Sequence, residues 1–160
     1  MTEEFQVFPI GHIRSENGFF LQIERPFVPA LKELNAFSHI QVLYWFHLCD
    51  TPENRNITEV KEPYRNAPAR MGIFATRSPV RPNPIALSVV QVLGIDQEQG
   101  LIEILYIDAA EGSPIIDLKP YHPSIDRIRE AAVPKWCSHW PKWYEDSAGF
   151  DWDAEFVNAR

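Results

Sequence analysis

Apolar and polar residues alternate along much of the chain up to about residue 120, a spacing that sends every second side chain to one face and predicts strands. Residues 5–13 place Phe5, Val7, Ile10 and Ile13 at apolar positions and predict a first strand, with a bulge or bend at Gly11. Asn17-Gly18 is a dipeptide that tight hairpins favour, and Phe19-Phe20-Leu21-Gln22-Ile23 supplies the return strand. Residues 26–34 predict a short helix that Pro29 confines to its first turns. Residues 37–46 hold Ile40, Val42, Leu43, Tyr44, Trp45 and Phe46 in close succession and predict a strand buried on both faces. Residues 51–68 are polar, mixed in charge and aperiodic; they read as a loop able to act as a lid. Strands are further predicted at 71–75, 85–93 and 101–107, the last with Ile102, Ile104 and Tyr106 on one face. A turn at Gly112, where a positive φ is tolerated, leads into a segment that starts at Ile115.

Past residue 123 the pattern changes. Residues 126–133 predict a helix or helical turn, and Trp136, Trp140 and Trp143 recur at helical spacing until Pro141 interrupts them. With Tyr144 and Trp152 they form an aromatic tail, expected to fold back over the domain or to pack at a subunit interface; a nucleobase stacking on one ring is the other reading. The expected organisation is therefore a domain over residues 1–123 followed by a packed tail over 124–160.

Between the strands predicted at 71–75 and 85–93 the chain runs Thr76-Arg77-Ser78-Pro79-Val80-Arg81-Pro82-Asn83-Pro84. Three prolines fix their own φ and push Ser78, Arg81 and Asn83 out of the α region, so the loop is stiff and non-helical. It displays Arg77 and Arg81, with Arg70 just before it, on a backbone that has little entropy left to lose on binding. Two readings stand: a ligand-binding loop, or a crossover whose arginines pair with the chain's own acids.

A chain of 160 residues, 45% hydrophobic, is the right size for one domain and can bury a core unaided by disulfides. Cys49 and Cys137 are too few for a disulfide framework, and no secretory pattern precedes Phe5, so the chain reads as soluble and cytoplasmic. A net charge of −7 argues against broad phosphate-backbone binding; any RNA contact must be local, and Arg65, Arg70, Arg77 and Arg81 fall in one short segment. His39, His47, Cys49 and Asp50 invite a metal-site reading, but no paired Cys-x-x-Cys or His-x-x-x-His supports it, and none is expected. No Gly-x-Gly-x-x-Gly follows a strand, so a Rossmann-type cofactor site is not expected either.

Three ordered motifs point further. Met71-Gly72-Ile73-Phe74-Ala75-Thr76-Arg77-Ser78-Pro79, continued by Arg81-Pro82-Asn83-Pro84-Ile85 and Leu87-Ser88, closely resembles the signature of the TsaA-like (TrmO) family of S-adenosylmethionine-dependent tRNA methyltransferases. Gly112-Ser113-Pro114-Ile115-Ile116-Asp117-Leu118-Lys119-Pro120-Tyr121 resembles the family's glycine turn and Asp-Ile-Lys-Pro-Tyr run, and Leu34 to Leu43 is a third match. Ile10 to Ser15 also resembles the family's opening, after which longer members insert a Pro-Arg-Gln loop that this chain lacks.

The resemblance covers about residues 5–123 and implies an α+β domain dominated by β structure, a small, mostly antiparallel barrel with short helices, forming a homodimer. It implies S-adenosylmethionine as cofactor, held by His47, Leu48, Arg77, Leu87, Ala110, Glu111, Gly112, Ser113 and Pro114, with Leu48 standing where the family has glutamine. Arg77, always charged and fork-shaped, suits the cofactor's carboxylate or ribose side. Asp117, Lys119 and Tyr121 alternate along an extended segment and share a face, as a cluster for acid/base or positioning work; a simple Asp117–Lys119 ion pair with a half-buried tyrosine is the alternative. The implied reaction is N6-methylation of threonylcarbamoyladenosine beside the anticodon of tRNA, the tRNA being the expected partner. Methyl transfer to a small molecule and a non-catalytic cofactor-binding module are the other readings.

Overall fold

The computed structural model describes residues 4–158. Eight strands run in chain order: β1 (Gly11–Arg14), β2 (Phe19–Ile23), β3 (His39–Trp45), β4 (Glu59–Lys61), β5 (Arg70–Gly72), β6 (Ile85–Asp96), β7 (Leu101–Ile104) and β8 (Pro114–Pro120). The chain divides into two compact units, Met1–Asp50 with Pro84–Arg127, and Thr51–Asn83 with Ile128–Arg160. The boundary expected near residue 123 is thus replaced by a discontinuous division in which the tail joins an internal segment.

In the first unit six strands pair antiparallel in the order β1-β2-β7-β6-β3-β8, and β8 pairs back to β1, which closes the sheet. Alternation decides what the closed sheet encloses: Ile13, Leu21, Ile40, Val42, Val90, Ile102 and Ile115 are fully buried inside it. The antiparallel, strand-rich character with short helices is as the sequence predicts. Asn17 and Gly18 both take positive φ in the β1–β2 hairpin.

Several local expectations are corrected. Residues 5–9 form no strand and leave Phe5, Val7 and Phe8 exposed; β1 begins only at Gly11, which pairs with Ile23 and Ile115 without a bulge. Around Pro29 the chain forms a 3-10 turn over Arg25–Leu31, followed by a second over Leu34–Ala36. β3 buries Ile40, Val42 and Tyr44 on one face only, its other face being half-buried. β7 stops at Ile104, so the inward position falls to Ile107 while Tyr106 is exposed. The helix or helical turn expected over 126–133 does not form; the helical turn there is α2 (Pro123–Asp126), which ends where the expected one would begin, counting α1 (Pro52–Arg55) as the first.

One irregularity sets the outer surface. β8 pairs Asp117 with Leu43 but Ile115 with Tyr44, so two steps along β8 match one step along β3. This bulge inverts the parity: Ile115 points into the core with Tyr44, whereas Asp117 and Lys119 join Leu43 and Gln41 outside, and Leu118 turns inward beside Val42.

The second unit contains the β4–β5 hairpin, a 3-10 turn over Ile73–Ala75 where the sequence predicted continued strand, α1, and α3 (Trp152–Glu155). Residues 51–68 are therefore built structure rather than an unstructured loop. Thr51 caps α1 by accepting from the Asn54 amide at 3.2 Å. Tyr64 is the hub: its ring stacks on Trp136 at 5.3 Å, meets Trp140 edge-on at 5.1 Å, and contacts Phe156 at 5.8 Å, beyond which Trp152 and Phe150 extend the cluster. Glu155, 5% exposed, accepts hydrogen bonds from Trp140 Nε1 at 2.7 Å and His139 Nε2 at 2.9 Å. Those donors, His139 first, hold its carboxyl below the usual glutamate range.

Two outcomes are expected. Because the depressed Glu155 carboxyl ionises more readily in the folded chain, its contribution to stability is present above the ordinary glutamate pKa and lost as pH falls through the depressed value. Glu155→Gln should lower the melting temperature at neutral pH and flatten the acid limb of a tryptophan-fluorescence titration; an unchanged limb would contradict this. Truncation after Ala131 removes every aromatic partner of Tyr64 named above and should give an aggregating or markedly less stable protein in a thermal melt.

Candidate functional site

The turn before β8 is stitched to β1. Gly112 takes φ of +75°, a value side chains rarely adopt, and donates its amide to the Ile13 carbonyl at 2.8 Å. Ile13 in turn donates to the Ser113 carbonyl at 2.9 Å, and Ser113 to the Ala110 carbonyl at 3.1 Å. No atom lies within 4 Å of where a Gly112 Cβ would stand, so open space adjoins the turn. The amides of Ala110 and Glu111 find no backbone acceptor among the described residues.

His47 enters from the end of β3. The 3-10 turn over His47–Cys49 begins where Phe46 donates to the Pro84 carbonyl at 2.8 Å, and it carries His47 Nδ1 to 3.3 Å from Ser113 Oγ. Two residues of separate motifs, 66 apart in sequence, thus meet. Ser113 is 2% exposed, whereas the neighbouring Leu48 is 72% exposed and presents an apolar surface. Leu87 faces Leu43 across β6–β3 on the outer surface, in the same row as Asp117. Ala110 is exposed, and Pro114 opens β8 opposite His12.

Two contributions here are not visible in the sequence. The Glu111 carboxylate, expected to matter through its backbone, closes the β1–β2 turn: it accepts from the Ser15 amide and hydroxyl, from the Glu16 amide at 3.2 Å and from Arg14 Nε at 3.1 Å. Those donors, the Ser15 amide above all, lower its pKa. Tyr44 donates its hydroxyl to the Asp108 carbonyl at 2.7 Å and so ties the start of the β7–β8 loop to β3. No local pattern signals either partner, because each lies more than 60 residues away.

Asp117, Lys119 and Tyr121 do share the outer face. Lys119 Nζ lies 2.7 Å from Asp117 Oδ2, and Asp117 Oδ1 also accepts from the Leu118 amide at 2.9 Å. The Asp117 hydrogen bond raises the Lys119 pKa, so this lysine keeps its proton. Tyr121 is half-buried, its ring edge-on to His39 at 6.4 Å. The ion-pair arrangement is the one realised, and a charged Lys119 is suited to holding an anionic group rather than to accepting a proton.

Arg77 belongs to the second unit and is exposed at the start of the proline loop. Within that unit Arg70 pairs with Glu59 at 3.4 Å, and Arg81 donates to the Thr76 carbonyl at 3.3 Å while lying 6.0 Å above the Phe74 ring. Thr76 Oγ1 donates to the Ile73 carbonyl at 2.8 Å and accepts from the Ser78 amide at 3.3 Å, which stiffens the loop beyond its prolines. His39 Nδ1 meets Ser38 Oγ at 2.9 Å, and Asp50 accepts from Trp45 Nε1 at 2.9 Å. Among the described residues no group of three His, Cys, Asp or Glu side chains is placed to hold a metal.

The closed antiparallel sheet thus gathers a glycine turn, an imidazole and a hydroxyl at one point, on loops carried by strands. The chain belongs to the tRNA-methyltransferase O N-terminal domain family, whose model matches residues 3–127. It is 37% identical over 129 residues to a probable S-adenosyl-L-methionine-binding protein of Pyrococcus horikoshii, covering 80% of this chain and 90% of that one. It is 35% identical over 127 residues to the tRNA (adenine(37)-N6)-methyltransferase of Escherichia coli, covering 77% of this chain and 53% of that one. Among solved structures, TrmO from Pseudomonas aeruginosa superposes with a TM-score of 0.63 at 30% identity, over 81% of this chain and 62% of that one. A further TrmO crystal structure gives 0.66 at 30% identity, over 82% and 64%. The chain thus spans about half of the Escherichia coli enzyme and under two thirds of the TrmO chains.

Ser113 offers a direct check on this packing. Adding bulk at so enclosed a position typically costs about 1–3 kcal/mol, so Ser113→Val should lower the denaturant midpoint clearly. Ser113→Ala, which gives up one neutral hydrogen bond, should cost about 0.5–1.5 kcal/mol. Equal midpoints for both variants and the parent would show that His47 and Ser113 are not held together.

Proposed function

We propose that this chain is an S-adenosylmethionine-dependent methyltransferase that acts on N6 of adenosine 37 in tRNA, the adenosine carrying a threonylcarbamoyl group. The observation that carries the reading is the meeting of His47 with Ser113 beside the Gly112 turn, positions at which the resemblance implies cofactor contacts. The residues fit the cofactor chemically. Leu48 and Leu87 offer apolar surface for an adenine, and the Ala110 and Glu111 amides offer donors. The cofactor, when bound, supplies an electrophilic methyl group on a sulfonium. The chain's own part is to bind, align and exclude water. The Gly112–Ser113 turn and His47 hold the donor side, and Lys119, kept charged by Asp117, positions the acceptor through an anion such as the threonyl carboxylate or a phosphate.

The charge distribution supports an RNA partner in spite of the net −7. Residues 51–83 and 128–160 carry ten Lys and Arg against nine Asp and Glu, the remainder five against thirteen. The unit that carries the closed sheet is therefore the acidic part, and that observation favours a second reading, methyl transfer to a small molecule. A homodimer is supported by the apolar outer face of β3 and β6, where Trp45, Leu43, Ile85, Leu87 and Leu93 lie. A cytoplasmic location follows from the tRNA reading.

Calorimetry with S-adenosylmethionine should give micromolar binding; absence of heat with both the methyl donor and its demethylated product would sink the enzyme reading. Nucleoside analysis of tRNA from a deletion strain should then show the unmethylated threonylcarbamoyladenosine. Normal tRNA in that strain, with activity of the pure protein on a small-molecule panel, would turn the assignment to the second reading. Lys119→Met should raise KM for tRNA about tenfold while leaving cofactor affinity unchanged, as expected when a charge-assisted contact is lost.

A further inference from the structure

The second unit holds a hollow of about 590 Å3 lined by Asn66, Ala67, Pro68, Lys135, Trp136 and His139. Trp136 is its aromatic wall. The centroids of Tyr64, Trp136 and Trp140 lie 5.1–5.4 Å apart in a nearly equilateral triangle, with Tyr64 and Trp136 within 9° of parallel and Trp140 perpendicular to both. In that geometry Trp140 abuts the side of the Tyr64–Trp136 stack, so neither ring covers the second face of Trp136.

The polar groups around that wall are unspent. Trp140 donates its indole N–H to Glu155 and Trp152 donates to the Ser147 carbonyl, but among the described residues Trp136 Nε1 has no acceptor. Nor, among them, does the Asn66 carboxamide have a hydrogen bond or Lys135 an ion pair. His139 has given only Nε2 to Glu155. An open indole face, an amide that both donates and accepts, and a cation at one rim are the complement of a nucleobase with its phosphate. The same unit carries most of the chain's cations, six of them in residues 51–83.

We infer that this hollow binds a nucleotide of single-stranded RNA, the base stacking on Trp136 with its edge read by Asn66 and its phosphate held by Lys135. The inference rests on the tRNA reading above and assigns RNA capture in part to tail residues, Lys135 and Trp136, that lie outside the match of the family model. A duplex cannot present an unstacked base, so the ligand class is an RNA loop or single strand. Stacking is sequence-tolerant, and the Asn66 edge contact supplies what selectivity there is.

The test uses the full chain and a fluorescein-labelled single-stranded heptaribonucleotide, followed by anisotropy at fixed salt. Trp136→Ala and Lys135→Glu should each weaken binding about tenfold or more, Asn66→Ala less, and Trp136→Phe should retain most of it because a ring remains. Circular dichroism and S-adenosylmethionine calorimetry on the same variants serve as controls. Should Trp136→Ala fail to fold, Lys135→Glu and Asn66→Ala, which alter exposed side chains, still decide the question. The inference is overturned if folded variants bind the heptamer as the parent does. Undiminished tRNA methylation by Trp136→Ala would also overturn it while leaving the tRNA reading intact; loss of cofactor binding in the parent would overturn the tRNA reading instead.

Discussion

Strand β3 is hydrogen-bonded along both edges, to β6 over its whole length and to β8 over most of it, and nearly everything of functional interest hangs on that double pairing. A strand held on both sides cannot slip by one residue without exchanging its buried and outward faces. Its last residues therefore have one position. His47 leaves the sheet where it can reach Ser113, and Tyr44 pins the β7–β8 loop from the inside. The bulge opposite Leu43 is tolerated because β6 on the other edge keeps β3 in place.

The strand framework was legible because its positions obey simple alternation: β2, β3, β6 and the core of β7 stand within a few residues of where periodicity puts them. Apolar periodicity at residues 5–9 misled for a definite reason, since an apolar spacing shows what a strand would need and not whether a neighbouring strand exists to receive it. The bulge in β8 left no mark either. Asp117, Lys119 and Tyr121 alternate with or without it, yet only the extra residue at 116 puts them on the face opposite Ile115. The site was half legible. His47, Gly112 and Ser113 were visible through resemblance, while Glu111 acts through a carboxylate whose partners are 95 to 97 residues away.

The polar stretch after residue 50 shows the limit of reading a segment by itself. It lacks periodicity because its order comes from rings that arrive much later in the chain: Tyr64 is enclosed by Trp136, Trp140 and Phe156, and Glu155 is satisfied by His139 and Trp140. The tail, read alone, looks like surplus aromatic surface. Together the two segments form one small unit with its own polar clasp and a charge opposite in tendency to that of the strand-built unit.

That late meeting has a consequence on the ribosome. Tyr64 emerges 72 residues before Trp136, which at about 5–20 residues per second is a wait of roughly 4–14 s. The strands that flank the inserted segment are already neighbours, with Trp45 opposite Ile85, so the closed sheet can form as soon as β8 has been made. Once β8 is made, over the last sixteen residues before Trp136, the 51–83 segment hangs from a finished scaffold with an unclaimed aromatic ring. Prolines and charges oppose strand pairing, and the segment carries six cations and a proline-rich second half through the time its own tail is still being synthesised.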